Sequence, residues 1–180
     1  MGVVCYCGKR KTLRLKNYNY SSPGYYFVTI CTQKRRHLFG AIQNNMMQLN
    51  DCGEIVQSEW LRTALLRPNV ELDEFIIMPN HFHGIISILN DDGRGTARRA
   101  PTSEQFGCPI SRSLPTIIRL FKSASTKRIN ELRNTLAVLV WQRGYYEHII
   151  RNENELNQVR QYVLDNPVKW DEDSENTDNH

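Results

Sequence analysis

The sequence predicts an α+β fold: a ferredoxin-like, split βαβ arrangement with an antiparallel sheet and an added C-terminal helix. Runs rich in aromatic and β-branched residues at 25–32, 70–78 and 81–89 read as strands, and three other segments carry apolar residues at helical spacing. Elements of the two kinds follow one another as β, α, β, β, α, β, α. A chain of 180 residues, 40% of them hydrophobic, is long enough for one domain with a sizeable core.

Each element has a local reason. Pro23-Gly24 breaks the chain just before the first strand, and a short edge strand is expected near Met47-Gln48-Leu49. Asn50 or Asp51 can cap a helix whose apolar positions are Ile55, Val56, Trp60, Leu61, Ala64 and Leu65, and Pro68 ends it. Pro79-Asn80 joins the next two strands as a hairpin turn. Residues 90–108, which include Asp91-Asp92-Gly93-Arg94-Gly95, read as a mobile loop. Leu114, Ile117, Ile118, Phe121 and Ala124 then mark one face of a second helix, with Arg119, Lys122, Thr126 and Arg133 off that face. A further strand is expected at 138–141. Asn152 with Glu155 is a cap-like signal opening the last helix, which stops at Pro167.

Charge divides the chain. Its formal net charge is +4, but residues 171–180 hold five acids and no Lys or Arg, so residues 1–170 carry 23 − 14 = +9. The expected organisation is a basic N-terminal extension at 1–17, a single domain at 18–170 and an acidic disordered tail at 171–180. Basic clusters at 9–14, 34–36 and 94–99 suit phosphate neutralisation, and equally a solvated basic face. There is no apolar run of about 18 residues and no secretory-signal pattern, which excludes a helical membrane span and points to a cytoplasmic protein. The five cysteines show no repeated zinc-ligand spacing; Cys5-Tyr6-Cys7 reads as reduced thiols rather than a metal pair.

Within this frame, His81-Phe82-His83 places two imidazoles on one face of a strand about 7 Å apart, within reach of one metal ion. Tyr162 and Asn166, four residues apart near the end of the last helix, share a helix face. The pair of histidines fits two readings, ligands of one ion or polar side chains packed in a strand. Tyr162, beside Val159 and Val163, fits a packed aromatic as well as a nucleophile.

Three blocks decide between them. Met78-Pro79-Asn80-His81-Phe82-His83, the segment from Val140-Trp141-Gln142-Arg143-Gly144-Tyr145-Tyr146-Glu147-His148 to Arg151, and Tyr162-Val163-Leu164-Asp165-Asn166-Pro167 together resemble the single-tyrosine HUH transposases, and within them the REP-associated tyrosine transposases. The resemblance runs from Tyr18 to Trp170. It implies that His81, His83 and Asn166 bind a divalent ion, Mg²⁺ or Mn²⁺, and that Tyr162 attacks a DNA phosphate to form a 5′-phosphotyrosine. Gln142, Arg143, Glu147, His148 and Lys122 become candidates for DNA contact or for support of the ligands. The implied partner is single-stranded DNA bearing a hairpin at repeat or transposon ends, the enzyme acting as a monomer or homodimer in the nucleoid. A hairpin-binding protein without turnover, or a ferredoxin-like RNA- or metabolite-binding module, remain the alternative readings. Asn166 precedes a proline, which predicts some distortion of its helical geometry.

Overall fold

The computed structural model describes residue 15 and residues 18–90, 112–173 and 175–176. The basic clusters at 9–14 and 94–99, the Cys5-Tyr6-Cys7 pair and nearly all of the predicted loop lie outside these residues.

Four strands make the main sheet: β1 (Gly24–Cys31), β4 (Val70–Ile77), β5 (His81–Ile88) and β6 (Tyr146–Ile150). Their spatial order is β4-β5-β1-β6 with every neighbouring pair antiparallel, the split βαβ order expected. Between β1 and β4 lie a small hairpin, β2 (Gly40–Gln43) and β3 (Met46–Leu49), and the helix α1 (Asp51–Leu65). The helix α2 (Leu114–Leu132) precedes β6, and α3 (Glu153–Asp165) follows it.

The starts of α1 and α3 obey their caps. Asn50 Oδ1 accepts from the backbone N–H of Cys52 and Gly53 at 3.0 and 3.1 Å, and Asn152 Oδ1 accepts from Glu155 N–H at 2.9 Å. The Glu155 carboxylate does not return to the cap residue, as a capping box would have it, but accepts from Arg151 N–H at 2.7 Å.

Both faces of the sheet are covered, which is why every residue of β5 is buried. On one face Tyr26, Val28, Ile30, Phe82 and Ile86 pack against Trp60 of α1 and Ile117 and Phe121 of α2. On the other, Phe27, Ile85 and Ile150 pack against Leu156, Val159 and Val163 of α3. Gly84 makes the first contact possible: a Cβ there would stand 2.8 Å from Trp60 Cζ2, so a side chain would push α1 off the strand that carries the histidines.

Two expectations are corrected. Residues 138–141 do not form a strand; Thr32 and Trp141 make an isolated bridge, and the fourth sheet strand is β6, where polar Glu147 and His148 hide the pattern. The short edge strand expected near Met47 is present as β3, half of the separate β2–β3 hairpin. The acidic tail is not disordered throughout: Trp170–Glu172 forms a 3-10 turn, Glu175 and Asn176 are buried, and Arg35 Nη2 meets Glu175 Oε2 at 3.0 Å. Composition misled here because buried carboxylates are admissible once a guanidinium and backbone donors meet them.

Candidate active site

β5 begins with the two histidines on the sheet face that α3 covers. His81 stands opposite Cys31 and His83 opposite Thr29 in register with β1, and both imidazoles are fully buried. Their ring centroids are 4.5 Å apart, closer than the expected spacing of the strand because the rings tilt toward each other.

The surroundings determine which nitrogens face inward. Asn80 Nδ2 donates to the carbonyls of Glu175 at 2.6 Å and Arg35 at 3.4 Å, which fixes its amide orientation. Asn80 Oδ1 is then the atom 2.9 Å from His81 Nδ1, so Nδ1 carries the proton and Nε2 keeps its lone pair. His83 Nδ1 lies 2.8 Å from Thr29 Oγ1, and its ring stacks on Phe27 at 5.4 Å. Burial drives the pKa of His81 down to about 3, the nearby Asn166 opposing the shift, and pushes that of His83 well below its ordinary value. Both rings are neutral at physiological pH, the form that a metal ion binds.

α3 brings Tyr162 and Asn166 to the same place. The Tyr162 hydroxyl lies 3.4 Å from His83 Nε2, its ring edge-on to Phe27. Asn166 is the C-terminal cap of α3 with φ −58° and ψ −42°, so the helical spacing survives despite Pro167 and the predicted distortion does not occur. Asn166 influences His81, yet Asn166 Oδ1 and His81 Nε2 are both buried with no hydrogen-bond partner among the described residues. A buried polar atom left unsatisfied costs about 1–3 kcal/mol, so two at one spot mark a place kept for a ligand.

A divalent ion fits this donor set. Two neutral imidazole nitrogens and an amide oxygen, each oriented by the fold, leave open coordination positions, as a catalytic metal needs. Among the described residues no group of three or more His, Cys, Asp and Glu side chains is arranged to hold a metal, so an ion here depends on the amide as well.

The remaining candidates divide. Lys122 Nζ donates to the carbonyls of Gln142, Arg143 and Gly144 at 2.6, 3.2 and 3.1 Å, so it braces the loop leading into β6. Gln142 is anchored by its own N–H to the carbonyl of Cys31 at 2.9 Å, and Arg143 is exposed. Glu147 pairs with Val28 and therefore projects from the opposite sheet face, a correction to its candidacy beside the histidines. His148 is on the histidine face but beyond Phe27, and its Nε2 meets Glu155 Oε1 at 2.7 Å. The sequence reading missed Thr29 and, in the C-terminal segment, Trp170 and Asp173. Trp170 packs on His81 with ring centroids 6.0 Å apart, and Asp173 Oδ2 lies 3.9 Å from His81 Nε2. No local pattern marks them; only Asn80, adjacent to His81, carried a signal within reach.

The class defined by this geometry is an α+β sheet protein whose paired strand imidazoles face a tyrosine on the C-terminal helix α3. The fold is shared with the solved structure of a REP-associated tyrosine transposase bound to a REP hairpin, with a TM-score of 0.59 at 19% identity, over 89% of this chain and 74% of the other. No model of a known protein family matches the chain. An uncharacterized protein of Haemophilus influenzae is 43% identical over 169 residues, 91% of each chain, and the chain belongs to one family with it. A second protein of that organism, described as "Putative REP-associated tyrosine transposase", is 28% identical over 157 residues, 86% of this chain and 77% of its own length. The resemblance to REP-associated tyrosine transposases thus extends over most of the chain as well as to the fold.

Proposed function

We propose that the protein is a transposase that cuts and rejoins single-stranded DNA at hairpin-bearing ends, with Tyr162 as nucleophile and His81, His83 and Asn166 as ligands of Mg²⁺ or Mn²⁺. The observation that carries this reading is the convergence of Tyr162 Oη on His83 Nε2 at 3.4 Å beside two orphaned buried donors of different elements. The hairpin-bound relative supports the choice of DNA partner.

Each residue has a distinct task. Asn80 and Thr29 orient the imidazoles, and α3 delivers the phenol and the amide together. Attack by Tyr162 Oη on the scissile phosphorus forms the phosphotyrosine bond and releases a 3′ hydroxyl. A later attack by a DNA 3′ hydroxyl on that phosphotyrosine restores the phosphodiester and frees the tyrosine, so joining needs no nucleotide cofactor. A phenol with an ordinary pKa of about 10 is protonated at neutral pH and reacts only when the phenolate is stabilised. A bound divalent cation supplies charge neutralisation for that phenolate and for the phosphate.

The test is a denaturing gel of protein mixed with a labelled single-stranded hairpin and Mn²⁺. A covalent adduct at the DNA 5′ side is expected from the unaltered protein, and its loss in Tyr162→Phe with hairpin affinity retained. Tyr145→Phe and Tyr146→Phe should keep the adduct. Tight hairpin binding with no adduct in any variant would reassign the protein as a binder without turnover.

A further inference from the structure

We infer that the basic turn following β1 is a docking surface for the DNA backbone, with Lys34 and Arg36 contacting phosphates of the strand that Tyr162 attacks, an inference that rests on the reading proposed above. In the sequence this cluster fits a phosphate contact and a solvated basic face equally; in the structure its position separates the two. β1 and β5 run antiparallel with Cys31 opposite His81, so the chain leaving β1 emerges at the end of the sheet where β5 begins with its histidines. The Asn80 amide bridges turn and site: its oxygen lies 2.9 Å from His81 Nδ1, and its Nδ2 donates to the Arg35 carbonyl at 3.4 Å. Trp170 makes a further link, its ring centroid 6.0 Å from that of His81 and 5.6 Å from that of His37.

The turn is built to keep one shape. Lys34 and Arg35 both have positive φ, 58° and 52°, the left-handed region that residues with a Cβ rarely occupy. Hydrogen bonds hold them there: Thr32 N–H donates to the Asn80 carbonyl at 2.8 Å, Gln33 N–H to the Val140 carbonyl at 2.7 Å, and Thr32 Oγ1 to the Arg36 carbonyl at 2.8 Å. Two consecutive strained residues, where glycine would relieve the strain, point to a requirement for their side chains. Those side chains have different tasks. Arg35 is committed inside the protein, its Nη2 meeting Glu175 Oε2 at 3.0 Å, and so fastens the turn. Lys34 and Arg36 are exposed, and among the described residues no carboxylate pairs with either, whereas Lys127 and Arg128 of α2 meet Glu131 and Glu59. Two uncommitted cations on a rigid turn beside the site suit a polyanion arriving from solvent, and they hold its phosphates without regard to base sequence.

Because phosphates are the groups contacted, a labelled single strand of about 20 thymidines serves as the probe, its binding to the full chain read by fluorescence anisotropy over a range of salt. The double variant Lys34→Gln, Arg36→Gln is expected to bind it about tenfold more weakly at about 0.1 M salt, and the slope of log affinity against log salt should shrink by about 1.4, two contacts at about 0.7 each. Its melting curve and Mn²⁺ affinity should not change. Arg119→Gln with Arg133→Gln removes the same charge from α2 and its C-cap, on the layer that covers the sheet face away from the histidines, and should leave affinity and slope nearly as they were. Equal losses in the two double variants would overturn the inference in favour of net charge alone, and a loss confined to the α2 pair would move the strand to the other layer. Unchanged binding in both, or no binding of the strand by the unaltered protein, would overturn it as well. A loss confined to the Lys34, Arg36 variant, with no Tyr162 adduct from the unaltered protein on a hairpin, would uphold the docking surface while the reading as a cutting enzyme fails.

Discussion

His81 is suited to a ligand's role because Asn80 decides which of its nitrogens carries the proton. The Asn80 amide is locked by two backbone carbonyls, so its oxygen faces His81 Nδ1 and the lone pair at Nε2 points inward. In Asn80→Ala that lock disappears while every ligand remains. Orienting partners of this kind are worth about 10–100-fold in metal affinity, so Asn80→Ala is expected to bind Mn²⁺ more weakly by a factor in that range, read by calorimetry. An unchanged affinity would mean that packing by Phe27 and Trp170 alone orients the rings. At this scale periodicity places His81 with His83 and Tyr162 with Asn166 on shared faces, the resemblance of the three blocks joins the two pairs into one candidate site, and the structure brings all four to one spot. Asp173 and Thr29 were not legible: one depends on a long-range contact with Arg35 and Asn80, the other on strand register, and neither leaves a trace in local spacing.

The reach of Tyr162 depends on how α3 is seated. Besides its apolar face, α3 is tied to β4 through Arg160, whose Nε and Nη2 donate to the two carboxylate oxygens of Asp73 at 2.9 and 2.6 Å. Asp73 stands in the register irregularity between Leu72 and Phe75, which re-aims it from the ladder toward the helix. The Arg160 hydrogen bonds hold the Asp73 carboxyl below its ordinary range. A carboxylate depressed in the folded state stabilises above its unfolded pKa of about 4, and this contribution is lost as pH falls through the folded value. Asp73→Asn is therefore expected to cost about 1 kcal/mol at pH 7, midway between exposed and buried pairs, and the difference from the unaltered protein should shrink as pH drops below about 4. Urea melts at both pH values measure it. Adduct formation should slow and Mn²⁺ affinity should weaken together, because Asp73 anchors the helix that carries both Tyr162 and Asn166. The helices were readable from caps and periodicity, and β6 was not, since Glu147 and His148, which project from opposite faces of the sheet, interrupt its apolar pattern and its apolar content falls short of the 138–141 run that makes only a bridge.

At the scale of the molecule, the site is assembled from distant parts of one chain. β5 contributes the imidazoles and α3 the phenol and amide, brought to one sheet face of a single copy. The connection between β6 and α3 is only Arg151 and Asn152, too short to carry α3 away from its own sheet while Leu156, Val159 and Val163 remain packed on Phe27 and Ile85. Withdrawing those three side chains would expose apolar surface worth several kcal/mol at about 25 cal/mol per Å². Tyr162 should therefore act with the histidines of its own chain, whether the protein is a monomer or a homodimer. Mixing His83→Ala, which keeps the tyrosine, with Tyr162→Phe, which keeps the histidines, provides the measurement. If each site is built within one chain, the mixture yields no adduct at any protein concentration. If copies exchange α3, one hybrid site carries both intact groups, and the adduct returns in proportion to the hybrid population. Recovery of the adduct on mixing would require α3 to leave the sheet on which it is packed.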